Sequence, residues 1–123
     1  MAQSKKEQFE QILRELRETN DEIEGAALLT SEGMLLAHNL ASNIRPEKIA
    51  GLSAALLWMG KKATSALQNG VYQELQLQGA EHSMLLFDVG KSVLAVTVKP
   101  GANLGMVNLD ARSSLEAINQ IFA

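Results

Sequence analysis

The stretch "VYQELQLQGAEHSMLLFDVGKSVLAVTVK", Val71 to Lys99, decides the fold. It opens on strict alternation. Val71, Gln73, Leu75 and Leu77 share one side; Tyr72, Glu74, Gln76 and Gln78 share the other. Alternation with a period of two predicts a strand with one wet face. "GAEH" then turns the chain into the apolar run Ser83 to Val89, and "GK" turns that run into Ser92 to Lys99. The expected result is a meander of three antiparallel strands.

On the N-terminal side, "IEGAALLTSEGMLLAHN" (Ile23 to Asn39) sets two apolar runs around a turn with Gly33 available for a positive φ. Consecutive apolar residues in both runs predict strands covered on both faces. Before it, Ser4 and Glu7 make a capping box, and Phe9, Ile12, Leu13 and Leu16 follow at helical spacing. That helix covers about residues 4–19 and is stopped by Thr19, Asn20 and Asp21. After "PGANLG", the stripe Leu104, Val107, Ala111, Leu115, Ile118 and Phe122 predicts a closing helix. The expected architecture is one α+β domain over residues 1–123, in the order α-β-β-α-β-β-β-α. It is a three-layer sandwich with a five-stranded antiparallel sheet and helices on both faces.

The remaining helix is unusual. Pro46 suits its first turn, and it is expected to run to Gln68. Its stretch "IAGLSAALLWMGKK" (Ile49 to Lys62) is apolar nearly all round. At ~100° per residue, Ile49, Leu52, Ala55, Leu56, Met59, Ala63, Ala66 and Leu67 form a face wide enough to dock on the sheet. The other side collects Ala50, Ala54, Leu57, Trp58, Lys61 and Ser65. Neither terminal helix has apolar surface to spare for this second face, so it is expected to be a partner-binding platform. Trp58 is its anchor, with small Ala50 and Ala54 admitting a second helix. The half-wet strand Val71 to Gln78 is expected at a sheet edge, where strands pair with other chains. Together these features predict a symmetric homodimer.

Composition narrows the function. The 123 residues suit one domain, and 46% hydrophobic with 20% charged is ordinary for a globular chain. A net charge of −3 disfavours nucleic acid as a partner. With no cysteine, thiolate metal sites and cysteine nucleophiles are excluded, and a cytoplasmic location is expected. No apolar run reaches the ~20 residues that span a bilayer, so no membrane insertion is expected. The N-terminus lacks the pattern of a secretory signal.

Candidate motifs fail one by one. "VGKS" (Val89 to Ser92) lacks the glycine of a phosphate-binding loop, since Leu85 stands there, and a strand follows it instead of a helix. "GANLG" (Gly101 to Gly105) has helix-packing spacing but sits in a loop. His38 and His82 have no carboxylate cluster at ligand spacing, and Asp88 reads as a turn residue before Gly90. Arg45 reads as a loop arginine, the alternative being an arginine finger in trans. No catalytic residue, metal or cofactor is expected, and the chain is not read as an enzyme.

The hairpin Ile23 to Asn39, the Ala-rich helix and the block "LLFDVGKSVLAVTVKPGANLGMVNLDAR" (Leu85 to Arg112) resemble the Roadblock family, named for a dynein light chain. The likeness covers residues 22–122 and is strongest to short prokaryotic, MglB-like members. It implies a profilin-like fold and homodimers or heterodimers in which the third strands join two sheets into one. It further implies that the paired second helices form a platform for a Ras-like small GTPase, whose nucleotide cycle such partners modulate without chemistry of their own. Here that strand is Val71 to Gln78 and that helix Pro46 to Gln68. Two other readings stay open: a PAS- or GAF-type small-molecule sensor, and a purely structural adaptor.

Overall fold

The computed structural model describes residues 3–67, 74–89 and 91–122. Three helices and five strands follow the expected order: α1 (Lys5–Thr19), β1 (Ile23–Leu29), β2 (Leu35–Asn39), α2 (Pro46–Ala66), β3 (Glu74–Gln78), β4 (Ser83–Val89), β5 (Ser92–Val98) and α3 (Leu104–Phe122). The strands form one antiparallel sheet in the order β2-β1-β5-β4-β3. The β1–β2 hairpin and the β3–β4–β5 meander are thus joined through β1 and β5, and α2 carries the chain from one edge to the other.

Local chemistry sets the ends. At α1 the Ser4 hydroxyl accepts from the Glu7 N–H at 3.2 Å, and the Glu7 carboxylate accepts from the Ser4 N–H at 3.3 Å. The capping box therefore satisfies two N–H groups that the helix leaves without internal partners. At α3 the Asn103 side chain accepts from the Met106 N–H at 3.2 Å, a cap hidden inside "GANLG". In the β1–β2 turn Gly33 has φ +93°, and the Met34 N–H donates to the Thr30 hydroxyl at 3.0 Å.

Each sheet face has its own core. On one side α1 and α3 bring Phe9, Leu13, Leu16, Val107, Ala111, Leu115 and Ile118 against Leu28, Leu85, Phe87, Leu94, Val96 and Val98. On the other, α2 is the one helix among the described residues that covers Ala27, Leu29, Leu86, Val93 and Ala95. Strand β1 is covered on both faces, as its run of apolar residues predicts. Strand β2 is an edge with His38 exposed, yet it too is lined on both faces: half-buried Leu36 packs on the core under α1 and α3, and half-buried Leu35 on the core under α2.

Candidate functional site

Helix α2 docks through a face one residue out of step with the hydrophobic stripe. The buried positions are Ile49, Ala50, Ser53, Leu57 and Gly60. Ser53 and Gly60 are two of these buried positions, and residues that small leave room for a close approach to the sheet. Hydropathy ranks neither as a core residue, so the stripe read from large apolar side chains is rotated by roughly 100°, one residue's turn. Among the described residues the Ser53 hydroxyl has no hydrogen-bond partner, which fits a residue placed there for size.

Two of the expected platform residues therefore belong to the core. Leu57 is 2% exposed and Ala50 is buried. Ala54 is small for the sake of this chain's own hairpin, whereas Ala50 meets the hairpin only through its backbone carbonyl. A Cβ built on Gly33 would stand 2.7 Å from the Ala54 Cβ and 3.6 Å from the Ala50 carbonyl oxygen. The β1–β2 turn thus packs against α2 at Ala54. Trp58, Lys61 and Ser65 do face outward. Of the residues expected to dock, Ile49 is buried and Leu56 half-buried, but Leu52, Ala55, Met59, Ala63, Ala66 and Leu67 are not buried.

The outer face of α2 thus carries Leu52 (51% exposed), Trp58 (63%) and Met59 (60%), with Ala55 and Ala63 between and beside them. Hydropathy alone does not mark Leu52 and Met59 as surface residues; the signal that finds them is the small-residue series Ser53, Gly60. Isolated exposed apolar side chains are ordinary, but several on one helix face mark an interaction surface. Lys62 Nζ stands 5.4 Å from the centre of the Trp58 ring, a cation–π contact on the open face. Lys61 is held differently, 3.5 Å from the Asp88 carboxylate. Asp88 is therefore a strand residue under α2 and not a turn residue.

Strand β3 lies at a sheet edge. Val71, Tyr72 and Gln73 of the expected edge strand fall outside the described residues, as does Gln68. Glu74, Leu75, Gln76, Leu77 and Gln78 pair with β4 from Phe87 to Ser83. Leu75 packs on the α2-side core, while Leu77 is 53% exposed. Beside Leu77 opens a cleft of about 400 Å³ reaching Ile44, Met84 and Thr97, with no Phe, Tyr or Trp among the described residues that line it.

Glu74 ties this edge to α3. Its carboxylate accepts from Asn108 and from Arg112, both at 2.8 Å, and the Arg112 guanidinium also lies 5.5 Å from the Phe87 ring centre. Burial pushes the Glu74 carboxyl up, but the Asn108 and Arg112 hydrogen bonds and the Arg112 charge outweigh it, leaving it below its usual 4.5. A depressed folded-state value means stability that is present above 4.5 and lost as pH falls through the folded value. Wild type is therefore expected to lose more melting temperature than Glu74→Gln between pH ~6 and pH ~3. Parallel acid profiles would show that the cluster contributes nothing.

The histidines do not converge. His82 Nδ1 lies 2.7 Å from a Glu24 carboxylate oxygen, and His38 is exposed on β2. Among the described residues no three His, Cys, Asp or Glu side chains gather where they would hold a metal ion. No described helix is long and apolar enough to cross a membrane.

The family profile for the Roadblock/LC7 domain matches residues 9–98, most of the chain. Among solved structures, Myxococcus xanthus MglB superimposes with a TM-score of 0.88 at 19% identity, covering 99% of this chain and 92% of that one. The gliding protein MglB of Thermus thermophilus gives 0.84 at 22% identity, covering 98% and 93%. Acanthamoeba castellanii profilin IA gives 0.68 at 12% identity over 91% and 98%, which makes the fold profilin-like. No curated protein matches the chain by sequence.

Proposed function

This chain belongs to the Roadblock/LC7 family, and from that premise we propose that it is a homodimeric, non-catalytic regulator of a Ras-like small GTPase. In this reading two copies join at β3 and set their α2 helices side by side. The GTPase docks on the outer faces of that pair and has its nucleotide cycle altered by contact. The observation that carries the reading is the outward apolar face of α2, Leu52, Trp58 and Met59, on a helix whose other side already holds the core. The open edge at β3 supplies a route to the dimer. A regulator that repositions its partner's residues needs no base, nucleophile or oxyanion donors of its own.

The test begins with affinity purification of the tagged chain from its source cell and asks whether a small GTPase accompanies it, and in which nucleotide state. Hydrolysis and nucleotide release by the purified GTPase are then timed with and without the chain. GTP turnover by the chain alone would overturn the reading.

Self-association is checked separately. Light scattering on a sizing column is expected to give about twice the 13.3 kDa chain mass at micromolar concentration. Leu77→Lys, which puts a charge on the edge, is expected to weaken the dimer about tenfold or more with little loss of fold, because lysine on an edge strand opposes pairing. A mass near 13.3 kDa at every concentration would sink the dimer.

A further inference from the structure

The outer face of α2 has a charge pattern that selects its partner. Lys48, Leu52, Ala55, Met59 and Lys62 follow one another at spacings of four, three, four and three, a single ridge on a helix. All five are exposed. From Lys48 to Leu67 the sequence has three lysines and no carboxylate, in a chain whose net charge is −3. Of the three, Lys61 is partly neutralised by Asp88. Among the described residues Lys48 and Lys62 make no ion pair, and Lys62 rests over the Trp58 ring. The ridge is apolar in its middle and positive at both ends, roughly 21 Å apart at 1.5 Å per residue.

Between Lys48 and Leu67 a second copy has no carboxylate of its own to set against those ends; its nearest, Glu47, lies just outside that stretch.

We propose that Lys48 and Lys62 receive carboxylates of the docked protein, so that the platform accepts a surface that is apolar at its centre and acidic at its rim. This rests on the GTPase reading above and adds which surface of such a partner fits. Rim charges of opposite sign act chiefly on the encounter, accelerating association in a salt-dependent way.

The experiment is stopped-flow association of the chain with the GTPase recovered beside it, purified in its GDP form and with a non-hydrolysable GTP analogue, at low and at high salt. Trp58 is the only tryptophan in the chain and reports from the ridge itself. Lys48→Glu with Lys62→Glu is compared with Lys5→Glu plus Lys6→Glu, exposed residues of α1 that change net charge equally. The ridge variant is expected to slow low-salt association by about tenfold or more and to lose the salt dependence. The α1 variant and the Lys48→Arg, Lys62→Arg pair are expected to keep the wild-type rate. Equal slowing by both reversed pairs would mean diffuse attraction and overturn the proposal, as would no slowing by either. Wild-type chain that captures no GTPase sinks the regulatory reading, and this inference with it; association without charge dependence sinks the inference alone.

Discussion

Leu57→Ala will destabilise the fold by about 2–5 kcal/mol, the range for removing a buried leucine and leaving a cavity. Leu57 projects from α2 into the cluster that includes Ala27, Leu29, Leu86, Val93 and Ala95. Several of these neighbours are already small, so there is little mobile bulk nearby to refill the space. Loss of Leu57 also strikes the one described helix covering this sheet face, whereas α1 and α3 share the load opposite. The control is Leu52→Ala on the same helix. Leu52 is half-exposed, and surface substitutions of this kind stay within about ±0.5 kcal/mol. Denaturant melts of both variants at several protein concentrations separate fold stability from dimer linkage. Equal, small losses would mean that α2 sits on the sheet through the Leu52–Leu56–Met59 stripe after all.

That comparison isolates what was legible in the sequence and what was not. The element order, the capping box, the hairpins and the edge position of β3 follow from alternation, turn residues and caps, which act locally. The rotation of α2 does not act locally. It depends on how closely the helix approaches Ala27 and Ala95 in the sheet and on Gly33 arriving from the hairpin, contacts distant in sequence. A helix apolar on both sides has no hydropathy contrast to fix its rotation, so size decides where polarity is silent. Ser53 and Gly60 are the residues that decide it. Ala54 of the expected platform does permit close approach, but of the chain's own turn, while Ala50 belongs to the core. Trp58 was identifiable as outward because no element of the chain had apolar surface left to cover it. Asp88 read as a turn residue from its neighbours, whereas its cross-element partner Lys61 gives it a place on the strand.

Trp58→Ala is expected to leave the fold nearly intact and to remove most of the affinity for the GTPase proposed to dock on α2. The indole is 63% exposed and its described ring contact is the Lys62 ammonium on the same helix. Removing it creates no cavity, so the stability change should stay within about 0.5–1 kcal/mol, the ordinary surface range plus one exposed cation–π contact. Binding is a different matter. Tryptophan is enriched among the few residues that dominate interfaces, because burying a large rigid ring against a partner yields much desolvation for little lost entropy. At an interface centre the truncation costs on the order of 2 kcal/mol or more, about thirtyfold in Kd. The Lys62 contact sharpens the test. If the ring enters a partner pocket, the ammonium stays at the rim, and Lys62→Gln should slow association while Trp58→Ala speeds dissociation. The two rate constants, measured on the same complex, therefore assign the two side chains separately. Unchanged affinity in Trp58→Ala would leave the indole an ordinary surface residue and move the docking site off α2. A Trp58→Ala chain that unfolds at every concentration would instead place the ring in the core, against its exposure and against the docking register set by Ser53, Leu57 and Gly60.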